Sequence, residues 1–358
     1  MSRHRAAGPA GSVGGVCDTM VALGPATVAG ATLFAKNSDR PPHEPQVVEH
    51  HPSRPEDVTR TTYLEIPGHP DPTLAVTGSR PRWMWGMEHG VNEAGVAVGN
   101  EMIFTTDDPH AAPPALTGMD LVRLALERAR NATGAVAVLT ALIEAHGQGG
   151  SGHDHEDIPY WSSFLVADPR AAWVVETSGR TWAAEEVALT RAISNRTTIP
   201  AFDAVHRVAR EAVTPFVDPR WEACTAAVAD GPVAEPGLRR HLRRHVGGAD
   251  GWTVCMHVDG LEATTASLVA SLPDDGSAPV ARFLLGSPCR SVYVPLRVGE
   301  PLGTVPPAER FAALTDAHRD ALDELEAELD ATVAADPGPG WNAEAWRRVT
   351  AALDGLGV

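Results

Sequence analysis

The sequence predicts an α+β layered sheet domain with a C-terminal helical piece. Three observations carry this prediction. Short β-branched or apolar runs recur between residues 28 and 294. One pair of helical segments, over 117–146, interrupts them. Two acidic-patterned helical stretches close the chain, over 306–334 and 341–355. Strands, a helical pair and then many strands are the order of an α+β layered sheet fold.

The elements follow from local chemistry. Residues 28–35 read as a strand, followed by a polar turn from Asn37 to Pro42. Residues 61–66 and 73–77 are β-branched strand candidates. The aromatic, Gly-punctuated run 83–90 reads as a loop over a pocket, and Asn92 to Gly95 as a turn into a buried strand that ends at Asn100. Thr117 with Asp120 forms a capping-box start for a helix reaching about Asn131; a second helix runs from about Gly134 to His146 and stops at Gly147. A hairpin follows, 164–167 and 173–176 around Asp168-Pro169-Arg170, and then strands near 187–193, 254–258, 265–271, 281–285 and 291–294.

The chain of 358 residues is 43% hydrophobic and 21% charged, the balance of a globular protein. A net charge of −17 argues against a nucleic-acid surface and against an anionic-membrane surface. The most apolar stretch, 21–35, is broken by Gly24, Pro25 and Gly30 and is too short for a spanning helix. Cysteines at 17, 224, 255 and 289 show no paired metal-ligand spacing and no disulfide framework, so a reducing, cytoplasmic location is expected.

Of 29 basic Lys and Arg side chains, one is a lysine, Lys36. It marks either a site that needs a compact ammonium or an Arg-biased composition that left one lysine. Residues 1–16 are small, Gly/Ala-rich and polar, without the apolar core of a secretory signal, and read as disordered. Order is expected to begin at Cys17. A thiol there is either a buried structural cysteine or, once N-terminal, a nucleophile whose own α-amine serves as base. Leader removal or initiation at Val16 would both expose it; initiation at Val16 is the expected route.

A set of short motifs in order carries a resemblance. Cys17-Asp18-Thr19, Lys36-Asn37-Ser38-Asp39-Arg40, Ser79-Arg80-Pro81 with Trp83-Met84-Trp85-Gly86, Gly90-Val91-Asn92-Glu93 with Gly99-Asn100-Glu101, Phe164 to Asp168 with Trp173 to Thr177, Ser194-Asn195, Thr253 to His257 and Gly286 to Ser291 resemble the secernin/dipeptidase family. That family is similar to the N-terminal-nucleophile hydrolases, including penicillin V acylase and bile-salt hydrolase. The resemblance implies a four-layer αββα sandwich over residues 17–305, a C-terminal helical extension over 306–358, and amide hydrolysis by an N-terminal cysteine.

By the same resemblance Cys17 is the nucleophile. Lys36 and Asp39 stand where the acylase relatives have Arg and Asp, Lys36 being a departure. Asn100 matches an oxyanion-hole amide, Asn195 a second Asn near the nucleophile, and Arg290 a late Arg. The expected activity is that of a cysteine-type dipeptidase acting on small peptides. An acylase on N-acyl amino acids or related amides, or a non-enzymatic secernin-like regulatory protein, are the alternatives.

Arg80 and Glu101 are assigned by charge to the substrate's ends, and Trp85 either lines the pocket or packs. Asn92 reads as turn chemistry, His153 to Asp157 as a solvated loop, Arg239 to His245 as an ion-paired helix face, and Cys255 and Cys289 as small buried hydrophobes. His257 is open to reading as a general base, but the mechanism requires none. No metal or organic cofactor is expected, no nucleic-acid or membrane partner either, and a homo-oligomer is left open.

Overall fold

The computed structural model describes residues 16–208, 214–229 and 231–358. The expected disordered leader falls outside them except for Val16. The strands, in chain order, are β1 (Cys17–Ala22), β2 (Thr32–Arg40), β3 (Gln46–His51), β4 (Val58–Arg60), β5 (Glu65–Pro67), β6 (Val76–Pro81), β7 (His89–Asn92), β8 (Ala97–Ile103), β9 (Trp161–Ala167), β10 (Ala172–Ser178), β11 (Thr181–Glu186), β12 (Thr190–Ile193), β13 (His257–Val258), β14 (Glu262–Leu272), β15 (Val280–Leu285) and β16 (Val294–Arg297). The helices are α1 (Gly118–Arg128), α2 (Ala132–His146), α3 (Pro200–His206), α4 (Thr214–Ala229), α5 (Glu235–Leu242), α6 (Ala308–Ala312), α7 (Arg319–Ala334) and α8 (Trp341–Leu356).

All the strands but β4 and β5, which pair as a small hairpin, form two antiparallel sheets. One runs β12-β1-β2-β14-β15-β16 with β13 added to β14; the other runs β11-β10-β9-β8-β7-β6-β3. Strand alternation then sorts the side chains into three apolar cores. Between the sheets lie Val21, Phe34, Leu268 and Phe283 from the first and Val91, Leu165 and Val174 from the second. On the outer face of the second sheet, Val98, Phe164 and Val166 meet Leu121 and Leu124 of α1 and Leu139 and Ile143 of α2. On the outer face of the first, Met20, Ala35 and Val269 meet Cys224 and Val228 of α4 and Leu238 and Leu242 of α5. Helix, sheet, sheet, helix is the αββα sandwich expected from the motifs. Helices α7 and α8 join the inter-sheet core through Leu322, Leu329, Trp346 and Val349.

Local signals explain the helix boundaries. Thr117 and Asp120 cap each other's backbone at the start of α1. Asn131 accepts from Gly134 N at the start of α2, which ends at Gly147 with φ 76°. Asn92 does turn and cap work: its Oδ1 accepts from Ala94 and Val96 N while its Nδ2 donates to the Leu126 and Ala129 carbonyls.

Three element readings are corrected. Residues 37–40 belong to β2 and are no turn; each polar side chain there finds a partner, Asn37 Nδ2 on the carbonyls of Leu242 and Val254 for example. Residues 61–64 form the turn of the small β4–β5 hairpin, with Thr61 N donating to Leu64 O. Strand β8 continues past Asn100 to Ile103.

Candidate active site

Cys17 opens β1, a strand flanked by β2 and β12. The register sets Cys17 opposite Ser38 and Thr19 opposite Lys36, so strand alternation turns Cys17, Thr19, Lys36 and Ser38 toward the second sheet. The same alternation turns Asp18, Asn37 and Asp39 toward α4 and α5. Cys17 is 3% exposed and the preceding Val16 is fully buried.

The Lys36 ammonium crosses the sandwich. Nζ donates to Asn100 O at 2.6 Å and lies 3.4 Å from Glu101 Oε1. Its charge also acts on the Cys17 thiol of the neighbouring strand. Burial works against its charge, but Cys17, Glu101 and Glu88 outweigh burial and hold its pKa above the ordinary lysine value. Glu101 has Lys36 as its near cation, and burial pushes its carboxyl up to about 7. Thr19 Oγ1 donates to Glu101 Oε1. Burial pushes the Cys17 thiol up to about 12, opposed by Lys36, so with Val16 in place the sulfur rests as a neutral thiol.

On the other face of β1, Arg220 of α4 gathers the backbone of the same residue. Its guanidinium donates to Asp18 Oδ2 at 2.7 Å, to Asn195 Oδ1 at 2.8 Å and to Cys17 O at 3.4 Å. Asn195 Oδ1 also accepts from Cys17 N at 3.0 Å, and its Nδ2 donates to Met102 O of β8 at 2.9 Å. Asn195 sits just past β12 in a turn clamped from the second sheet, where the Glu176 carboxylate of β10 accepts from the amides of Thr198 and Ile199. Asp39 accepts from Thr264 Oγ1 at 2.5 Å. Burial pushes its carboxyl up to about 8, against the pull of Arg220.

The structure therefore brings Cys17, Lys36, Asp39 and Asn195 around one strand end, with Glu101 as the buried counter-ion of Lys36 rather than a group facing a ligand. Asn100 is present in two ways. Its carbonyl anchors Lys36, while its side chain follows the alternation of β8 toward α1, with Nδ2 on Met119 Sδ at 3.4 Å.

Three expected residues stand apart. The Arg290 side chain is 44% exposed and its Nε pairs with Asp316, where water competes for its charge. Arg80 forks onto Glu49 and donates to the carbonyls of Pro81, Arg82 and Met84, which folds the loop after β6. Trp85 packs under Arg123 of α1, 4.0 Å from ring centre to guanidinium carbon, as scaffold. Arg220 was not foreseen; as one arginine among many, on a segment with no strong amphipathic pattern, it gave no sequence signal.

A cavity of about 300 Å³ adjoins this cluster, lined by Met102, Phe104, Tyr160, Trp161 and Val208. Met102 is the residue whose carbonyl Asn195 holds. Among the described residues, no helix is long and apolar enough to cross a membrane.

Comparison with known proteins adds to this geometry. Among solved structures, the chain is similar to the Caenorhabditis elegans ortholog of N-acylethanolamine-hydrolyzing acid amidase, at 12% identity and a TM-score of 0.43 over 71% of this chain and 92% of that one. It is also similar to a mutant of conjugated bile acid hydrolase from Clostridium perfringens, at 10% identity and a TM-score of 0.44 over 78% of this chain and 92% of that one. Residues 16–217 match peptidase family C69, a span that begins one residue before Cys17 and takes in Lys36, Asp39, Asn100 and Asn195. The motifs, the sandwich and this match converge: the chain belongs to peptidase family C69.

Proposed function

We propose that this protein is a cysteine-type dipeptidase whose nucleophile is Cys17, made N-terminal by loss of the residues before it. The observation that carries the reading is the hold on that one residue: its nitrogen donates to Asn195 Oδ1, and its sulfur shares the inward face of the sheet with Lys36, whose charge favours the thiolate. While Val16 is attached, that nitrogen is an amide and has no basic lone pair. Once the 16–17 bond is cleaved, or where synthesis starts at Val16 and that residue is removed, it becomes an amine whose pKa of about 7.7–8.0 suits a general base at neutral pH.

The reaction then balances within a few groups. The α-amine takes the thiol proton, and the thiolate, favoured by Lys36, attacks the peptide carbonyl. The resulting ammonium returns the proton to the departing amine, which leaves a thioester. Water, deprotonated by the same amine, releases the acid and the thiol. Asn195 orients the amine through Oδ1. Asn100 is the oxyanion donor of this proposal, which requires its Nδ2 to leave the Met119 thioether, a weak acceptor, and turn from α1 toward Cys17. Lys36 keeps its charge through the cycle, with Glu101 as counter-ion. Asp39, held by Thr264 on the opposite face of the sheet from the sulfur, is a supporting group rather than a reacting one in this scheme. The cavity beside Met102 and Tyr160 is the proposed seat of a side chain of the substrate.

The test joins chemistry to the terminus. Active protein is expected to show a mature mass beginning at Cys17, to cleave dipeptides, and to lose cleavage in Cys17→Ala with an unchanged melting temperature. Turnover confined to N-acyl amino acids would replace the dipeptidase with an acylase. Full activity in a chain that retains Val16, or in Cys17→Ala, would remove the mechanism altogether.

A further inference from the structure

We propose that His245, Cys255, His257 and Cys289 form a tetrahedral Cys2His2 site for a zinc-class divalent ion, on the outer side of the first sheet and apart from the nucleophile. Their ligand atoms all lie within 4.8 Å of one another. His257 Nε2 stands 3.5 Å from Cys255 Sγ and 3.2 Å from Cys289 Sγ. With metal–sulfur bonds of about 2.3 Å and metal–nitrogen bonds of about 2.0–2.1 Å, tetrahedral angles separate a sulfur and a nitrogen ligand by about 3.5 Å. The cluster already has those edges.

Chemistry and placement agree with the geometry. Two thiolates and two imidazoles are the donor set that selects zinc among common divalent ions, and calcium and magnesium prefer oxygen. Four protein ligands leave no open position, which makes the site structural rather than catalytic. The ligands come from three segments: His245 from the loop after α5, Cys255 and His257 from the entry to β13, and Cys289 from the turn after β15. Arg244 O accepts from Cys255 N, so the first two segments already touch. None of the cysteines is in a disulfide. The site lies behind the active centre: Met256, between two ligands, donates from its amide to Thr264 Oγ1, and that hydroxyl donates to Asp39. An ion there would fasten the segment that holds Asp39's hydrogen-bond partner.

The expectation of no metal rests on spacing along the sequence, which this proposal does not need. The spacing is irregular because three loops supply the ligands, and only the fold brings them together.

The test uses the untagged full-length chain purified without chelators. Elemental mass spectrometry is expected to find about one zinc ion per chain, falling to less than about a tenth in Cys289→Ser. His245 is exposed, so His245→Ala retains the fold and is expected to release its ion to a weak chelator that leaves the wild type loaded. Protein stripped under reducing conditions and refilled with Co2+ should show the intense visible bands of tetrahedral sulfur–nitrogen coordination, with an end point at about one equivalent. A wild type that carries no stoichiometric ion and takes up neither Zn2+ nor Co2+ would overturn the site. So would a Cys255–Cys289 disulfide in the freshly purified protein, or uptake unchanged in Cys289→Ser. These readouts do not depend on hydrolysis, so they stand or fall separately from the function of Cys17.

Discussion

Lys36 donates to the carbonyl of Asn100 at 2.6 Å, and the two residues belong to different sheets. The chain's one lysine therefore reaches from β2 across the sandwich to β8. Gly99, next to Asn100, makes the crossing feasible: a Cβ there would stand 2.7 Å from Lys36 Cδ and 3.3 Å from Phe34 Cζ.

Gly99→Ala should push the lysine stem aside. We expect kcat/KM to fall by roughly 10²-fold, the effect of about 1 Å of misplacement at a reacting centre. Steady-state kinetics on a good dipeptide decides it; wild-type turnover would mean that the position of the Lys36 ammonium is not critical.

Asn100→Ala keeps the carbonyl that Lys36 needs and removes the amide. If Nδ2 meets the oxyanion, kcat should fall by about 10²–10³ while KM changes little. A kcat within threefold of wild type would return Asn100 to the role its strand position already gives it, that of an anchor for Lys36.

Arg220 and Asp18 are both fully buried, and their ion pair is 2.7 Å long. Arg220→Met would leave Asp18 uncompensated, at an expected cost of about 3–5 kcal/mol in denaturant unfolding. The contrasting variant is Arg290→Ala, which removes an exposed pair worth about 0–1 kcal/mol and is expected to leave kcat/KM unaltered. A large loss of activity in Arg290→Ala would mean that the late arginine implied by the family motifs acts at the site after all.

The Asp39 carboxyl is raised in the fold to about 8 from 3.8. A raised carboxyl favours the folded state while it is protonated. Its contribution is complete below the unfolded value and is lost as pH rises through the folded one. Glu101, raised to about 7, has the same sign. In Asp39→Asn that loss is absent, so its melting temperature should decline less than that of wild type between about pH 4 and pH 8. Parallel melting curves across that window would show that Asp39 titrates alike in both states.

Much of the fold was legible because its signals are local. The capping box at Thr117, the stop at Gly147 and the turn at Asp168, whose carboxylate accepts from Arg170 and Ala171 N, are each written within a few residues. The run from Asn37 to Arg40 misled because its polarity reads as solvent exposure, whereas every member is buried and Asn37, Asp39 and Arg40 meet partners distant in sequence. Helices α4 and α5 went largely unread, although the Arg239 patch was rightly seen as an ion-paired helix face: Arg239 pairs with Glu235, Glu326 and Asp330. Cys17 stood out by position and Lys36 by rarity. Arg220 and the Cys2His2 cluster had neither mark, since what distinguishes them is company that only tertiary structure provides.

The grip of Asn195 on Met102 and that of Lys36 on Asn100 both end on β8. These two bonds between the facing sheets thus belong to the residues that, in the proposed mechanism, orient the nucleophile and its base. A slight slide of one layer over the other would silence the enzyme while every strand and helix stayed intact, so catalytic competence reports on the mutual alignment of the layers more finely than any measure of secondary structure.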